Sequence, residues 1–203
     1  MQKGTNEIRR VAQTKKSARA EVIGRLKDLS AFERRSMSLA ACRRVEELDA
    51  FSSAAVVMLY MPLPTELDVT SLALRCLQLG KSICVPRMEW DTKRMVAIRM
   101  ERFDDQGMRL AHGVREPVEG APVPAEDIDL ILCPGLAFDG YGRRLGRGGG
   151  VYDRFLVQPH LRAAVVGIGF DVQVLDEVPV WEHDVPLHAV VTDLRAITLE
   201  HCR

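Results

Sequence analysis

Gly142-Arg143-Arg144-Leu145-Gly146-Arg147-Gly148-Gly149-Gly150-Val151-Tyr152-Asp153-Arg154 follows an apolar run, Asp129-Leu130-Ile131-Leu132-Cys133, in a chain of 203 residues. The apolar run reads as a buried strand, and Val151 to Leu156 reads as the start of a helix. Between them, five glycines fall within nine residues and three arginines interrupt them. Glycine reaches φ values that other residues resist, so the backbone N–H groups of such a loop can turn inward as an anion-binding nest. The arginines add fixed charge and forked donors suited to phosphate. The N-terminus of the following helix would face the same anion. Strand, glycine loop and helix together make a phosphate site; a flexible surface loop would lack that context. No Lys-Ser or Lys-Thr pair follows the glycines, so this is not a Walker A loop. The dinucleotide-binding fingerprint also fits poorly.

Outward from this unit, residues 15–29 and 31–48 read as two helices. In the second, Met37, Ala40, Ala41, Val45 and Leu48 make one apolar stripe, and Ser30 with Glu33 forms a capping box at its start. Ala54 to Tyr60 is a β-rich apolar run. Val69, Leu72, Ala73, Cys76 and Leu77 then stripe a helix that Gly80 ends. Ser82 to Pro86 is a further strand and Met95 to Met100 a weaker one. The stretch from Arg102 to Asp127 reads as long connections with little regular structure. Strands follow at 129–133, 163–168 and 188–192. Apolar strands alternating with helices predict an α/β fold, a three-layer αβα arrangement around a mostly parallel sheet covered on both faces. There is no internal repeat or linker, so one domain spanning 1–203 is expected.

Composition bounds the function. A 47% hydrophobic content suits a globular protein, and no apolar run is long enough to span a membrane. The polar, basic segment Met1 to Arg19 lacks a signal-peptide core, so a cytoplasmic location is expected. Five cysteines (Cys42, Cys76, Cys84, Cys133 and Cys202) form no C-x-x-C pair, which favours reduced thiols over a zinc cluster. Zero formal net charge argues against broad nucleic-acid binding. His112, His160 and His183 share no metal-ligand spacing and read as ordinary surface or core residues.

Pro134-Gly135-Leu136-Ala137-Phe138-Asp139, followed by the run from Arg144 to Gly150 and by Tyr152-Asp153-Arg154, resembles the 5-formyltetrahydrofolate cyclo-ligases, also called methenyltetrahydrofolate synthetases. The resemblance spans nearly the whole chain. Lys15-x-x-x-Arg19 looks like the family's lysine-arginine pair, and Thr65-Glu66-Leu67-Asp68-Val69-Thr70 like its glutamate-containing substrate segment. Gly113-Val114-Arg115-Glu116-Pro117 resembles a central Gly-x-x-Glu-Pro element, and Phe170, Gln173, Pro179, Asp184 and Thr192 follow the closing pattern. Two positions depart: His188 stands where an acidic residue is common, and Val151 where an aromatic often precedes Tyr152.

The resemblance implies an ATP-dependent cyclisation of 5-formyltetrahydrofolate to 5,10-methenyltetrahydrofolate, through a phosphorylated formyl group, with ADP and phosphate released. It assigns catalytic roles to Arg144 and Arg147. It gives ATP contacts to Lys15, Arg19, Arg144, Leu145, Gly146, Arg147, Gly148, Gly149, Gly150, Val151 and Tyr152. Lys15 and Arg19 lie one helical turn apart on one face, with Lys16 as the neighbouring alternative to Lys15. Met61, Glu66 and Tyr152 are implied at the folate, where a carboxylate takes a pterin N–H pair and flat apolar groups meet the ring. Asp153 and Asp184 are implied ligands of magnesium, which needs only one or two protein carboxylates. Plainer roles remain open: helix capping for Asp153, a surface loop for Asp184, N-capping or first-turn charge for Glu66, simple core for Met61 or Tyr152, and an exposed basic face for Lys15 and Arg19. The alternative function is a folate- or nucleotide-binding protein of the same fold without catalysis. A kinase-like phosphotransferase acting on another small acceptor is a further one.

Overall fold

In a computed structural model of the chain, residues 2–182 and 184–199 are described, with side chains from residue 10 onward. His183 and Cys202 lie outside the described residues. The glycine run sits between two parallel strands of one sheet. β7 (Leu130–Cys133) leads into the loop, and α5 (Val151–Leu156) leads out of it to β10 (Ala164–Ile168). β1 (Val56–Met58) is followed by α4 (Thr70–Gln78) and β2 (Ser82–Glu89), and β11 (Ala189–Val191) extends the other side. Strands β11, β10, β7, β1 and β2 are parallel neighbours in that order.

Antiparallel strands complete an eight-stranded sheet. β12 (Ala196–Thr198) pairs with β11, β3 (Arg94–Met100) pairs with β2, and β6 (Pro122–Val123) pairs with β3. The central strands are apolar on both sides because both faces are covered. Val57, Leu130 and Leu132 point to one core, and Met58, Ile131 and Cys133 to the other.

The layers are uneven. On the first face lie α1 (Gln2–Asp28), α2 (Ala31–Glu46), α3 (Asp49–Ser53) and α4, through Val22, Leu26, Ala41, Val45, Phe51 and Leu72. On the second, α5 contributes Phe155 and Leu156, and loop residues such as Leu187 fill the rest. Ser30 caps α2 as its sequence predicts: its hydroxyl accepts from the Glu33 N–H at 3.2 Å while Glu33 Oε2 accepts from the Ser30 N–H at 2.8 Å. Gly80, at φ 71°, ends α4 in the left-handed conformation expected of it.

The expectation for residues 102–127 needs correction. β4 (Met108–Ala111) and β5 (Val114–Pro117) form an antiparallel hairpin closed by His112 and Gly113, both at positive φ. A two-residue turn with two positive φ values matches the right-handed twist of the strands it joins. This hairpin lies against β2 and becomes one wall of the site.

Candidate active site

Open parallel sheets bind ligands where the chain order reverses, beyond the C-terminal ends of the strands. Here that point lies between β1 and β7: β1 continues to β2 on one side, β7 to β10 on the other. The loops leaving β1 and β7 are the two segments singled out in the sequence, residues 59–69 and 134–150. Between them, and against β2, β3 and the hairpin, lies a cavity of about 230 Å³.

Buried polar side chains build the glycine loop. Asp139, fully buried, accepts from the Tyr141 and Arg143 N–H groups through Oδ1 and from the Val178 N–H through Oδ2. Gln173 donates to the Gly135 and Leu136 carbonyls and accepts from the Phe170 N–H. A miniature hairpin, β8 (Ala137–Phe138) with β9 (Arg144–Leu145), then fixes Arg144 in the cavity wall. Gly148 and Gly150 lie at φ 107° and 59°, backbone that a side chain would strain. α5 is only six residues long, so its dipole adds little to the loop, whose glycine backbone is the part shaped for an anion.

Two cations of α1 meet distant loops. Lys15, Arg19, Val22 and Leu26 share one stripe of the helix, apolar below and basic above. Lys15 is buried and its Nζ lies 2.5 Å from Asp184 Oδ2, whereas Lys16 is exposed. Arg19 Nε donates to the Gly146 carbonyl at 2.9 Å.

The remaining charges pair across the site. Arg144, only 6% exposed, donates to Asp153 Oδ1 at 2.9 Å, and its guanidinium lies 5.5 Å from the Tyr152 ring. Asp153 makes no capping bond for α5; Gly150 holds that position. Arg147 Nε reaches Glu66 Oε1 at 3.1 Å, and Glu66 Oε2 accepts from the Leu63 N–H at 3.0 Å. Thus Glu66 holds its own loop and bridges to the glycine loop, and does not cap α4. Asp184 Oδ2 also accepts from the Trp181 N–H at 2.7 Å.

Among the described residues, two buried side-chain polar atoms have no partner: Arg144 Nε and the Tyr152 hydroxyl. Burial above all, then the neighbouring Cys133 and Glu66, pushes the Tyr152 phenol well above its ordinary range, so it stays a neutral O–H donor. Such orphans are rare in proteins, and both residues line the cavity.

Met61, Glu66, Arg144, Gly146, Arg147, Gly149, Gly150, Val151, Tyr152 and Asp153 line the cavity together. Lys15, Arg19, Leu145, Gly148 and Asp184 do not line it; Arg19 reaches the Gly146 carbonyl from α1, Lys15 pairs with Asp184, and Leu145 is core. Among the described residues, no three metal-ligating side chains gather. Magnesium does not need three. Asp153 Oδ2 and Asp184 Oδ1 stand outside the recorded bonds, so each carboxylate keeps an oxygen for a hard cation.

The sequence reading missed the opposite wall. Pro86, Met88 and Trp90 of the β2 segment, Met95 of β3, and Val114, Arg115 and Glu116 of β5 also line the cavity. Glu116 is 1% exposed; it accepts from the Met88 N–H at 3.2 Å and Trp90 Nε1 at 3.4 Å, and faces Arg109 at 3.5 Å. The Gly-x-x-Glu-Pro element was the available signal. A buried glutamate within it marks a packed wall and not a connection.

Known proteins resemble this chain closely enough to show its family. The model of the 5-formyltetrahydrofolate cyclo-ligase family matches residues 11–193. The chain belongs to that family. It is 35% identical over 150 residues to the 5-formyltetrahydrofolate cyclo-ligase of Mycolicibacterium smegmatis, covering 71% of this chain and 77% of the relative. It is 30% identical over 219 residues to the Arabidopsis thaliana protein named 5-formyltetrahydrofolate cyclo-ligase, mitochondrial, covering 94% and 78%. The solved structure of Aquifex aeolicus 5,10-methenyltetrahydrofolate synthetase matches with a TM-score of 0.79 at 32% identity, covering 93% of this chain and 94% of the other. The mostly parallel eight-stranded sheet of this chain is thus part of a fold it shares with that structure. No described helix is long and apolar enough to cross a membrane.

Proposed function

We propose that this chain catalyses the ATP-dependent closure of 5-formyltetrahydrofolate to 5,10-methenyltetrahydrofolate within one domain. The observation that carries the reading is the buried Arg144 in the cavity wall, its Nε and the nearby Tyr152 hydroxyl unpartnered, beside a glycine loop tied down by Asp139 and Gln173.

A formamide oxygen is a poor leaving group, so closure needs it activated. The formyl oxygen attacks the γ-phosphorus and ADP departs. N10 then attacks the formyl carbon and gives up its proton to the phosphate, which leaves carrying the former formyl oxygen. The protein needs no covalent step; it aligns two substrates and offsets charge on the transferring group. Arg144, Arg147 and the Gly146–Gly150 backbone hold the β- and γ-phosphates, and Lys15 and Arg19 reach the triphosphate from α1. Glu66 takes the pterin N–H pair once Arg147 turns from it to phosphate, and Met61 and Tyr152 contact the ring. Asp153 and Asp184 would hold magnesium, which would supply positive charge to offset that of the transferring phosphoryl group. Nothing in the site calls for nucleic acid or a membrane as partner.

We place the reaction in the cytoplasm. The buried free thiols of Cys42, Cys76, Cys84 and Cys133 support a reducing compartment, and the Arabidopsis thaliana relative carries a mitochondrial name. The mechanism is tested with substrate labelled with heavy oxygen at the formyl group. Label recovered in the released phosphate is expected; label lost to water excludes attack by the formyl oxygen.

A further inference from the structure

The cavity of about 230 Å³ is small beside the roughly 300 Å³ or more of pockets that enclose a drug-sized ligand. It takes the bicyclic ring, and the aminobenzoyl-glutamate part of the substrate must continue elsewhere. A second groove, about 550 Å³, shares Leu63, Glu66 and Arg115 with the cavity as a common wall. Its far side is the first two turns of α2, with Arg34, Arg35 and Ser38.

Charge in this groove is unevenly committed. Its two carboxylates are engaged: Glu66 by Arg147 and the Leu63 N–H, and Asp68 by the Thr70 N–H. Arg115 is committed too: it donates to the Pro62 carbonyl at 2.8 Å and pairs with Asp105, so the uncommitted charge lies on α2. Arg34 gives Nη1 to the Leu26 carbonyl at 2.7 Å, which leaves its other donors over. Arg35 is exposed and has no hydrogen bond or ion pair among the described residues. Ser38 is buried, and its oxygen accepts from the Asp68 N–H, which leaves the hydroxyl proton to donate. The groove thus offers cationic and hydroxyl donors, at the N-terminal half of a helix, immediately beyond the ring cavity.

We propose that this groove is the subsite for the glutamate carboxylates of the substrate tail, including those of a γ-linked oligoglutamate, with Arg34 and Arg35 as its specificity-determining residues. The proposal rests on the cyclo-ligase reading and adds the direction in which the tail leaves the cavity. Neither arginine touches the cavity, so they act on tail affinity and not on closure.

The experiment compares 5-formyltetrahydropteroate, which has N10 but no glutamate, with the mono- and pentaglutamate forms of 5-formyltetrahydrofolate. Wild type, Arg35→Gln and the Arg34→Gln/Arg35→Gln double variant are assayed. The single variant spares the α1–α2 bond of Arg34. In the wild type KM is expected to fall along the series, less steeply at high salt. In Arg35→Gln the advantage of the pentaglutamate over the pteroate is expected to shrink about threefold or more, with kcat and the KM for ATP unchanged. Equal KM ratios in wild type and variants, or a wild type indifferent to the tail, overturn the subsite alone. No turnover of any of the three overturns the cyclo-ligase reading itself.

Discussion

Asp153 is an acidic residue in the first turn of α5, the place where a capping role is expected, yet its recorded bond runs sideways to Arg144. The Arg144 side chain is 4% exposed, so its charge depends on that carboxylate. Asp153→Asn keeps the shape but removes the counter-charge beside a buried guanidinium. A stability loss of about 1–3 kcal/mol is expected in urea unfolding. The magnesium required for half-maximal turnover should rise sharply, since a hard cation loses a full charge from its shell. A variant matching wild type in both titrations removes Asp153 from the phosphate half of the site. Its partnership with Arg144 was not legible in the sequence: the two stand nine positions apart, and only the hairpin of β8 with β9 folds the loop back to bring them together. Lys15 was legible only as one of two adjacent lysines; the structure buries it and leaves Lys16 exposed.

Among the elements, those with apolar periodicity were legible, and the β4–β5 hairpin was not. β4 reads Met108-Arg109-Leu110-Ala111, with Arg109 and Leu110 exposed, so no alternation announces a buried face. Its turn uses His112 before Gly113, where Asn or Asp is the usual signal. What holds the hairpin is Glu116, whose carboxylate ties β5 to the Met88 N–H and to Trp90. Trp90 in turn lies 4.0 Å from the His112 ring, so turn, wall and carboxylate form one unit. Glu116→Ala leaves a buried N–H and an indole N–H without acceptors. The expected cost is about 2–4 kcal/mol in denaturant unfolding, with the KM for the folate raised more than that for ATP. Equal stability, or equal change in both KM values, would detach the hairpin from the folate wall.

Across the whole molecule, the parallel core places the switch point between β1 and β7, and the loops leaving those strands carry the two segments with chemistry. The mostly parallel, doubly covered sheet followed from the apolar runs, because strands buried on both faces leave a continuous apolar signature, whereas the strand order that sets the switch point came from the structure. The same burial governs the thiols. Burial pushes Cys76 up to about 11 and Cys84 and Cys133 up to about 12, with Lys81, Arg99 and Arg144 respectively pulling back. A thiol with a raised folded-state pKa favours the native protein fully below the ordinary thiol pKa, near 9, and loses that contribution as pH climbs toward 12. Thermal stability is therefore expected to hold to about pH 9 and fall beyond it. These three thiols should stay silent to thiol reagents at pH 8 until the protein unfolds. Rapid native labelling of Cys84 or Cys133 would contradict the packing of the second core.

The central claim is that one site joins a phosphate loop to a folate cavity and uses both in a single closure. Incubating the protein with magnesium, ATP and 5-formyltetrahydrofolate, while following the absorbance of the methenyl product, tests it most directly. The account predicts product that forms only with all three present, one ADP for each ring closed. Tight binding of folate and nucleotide with no methenyl absorbance, or ATP consumed with no ring closed, would contradict it.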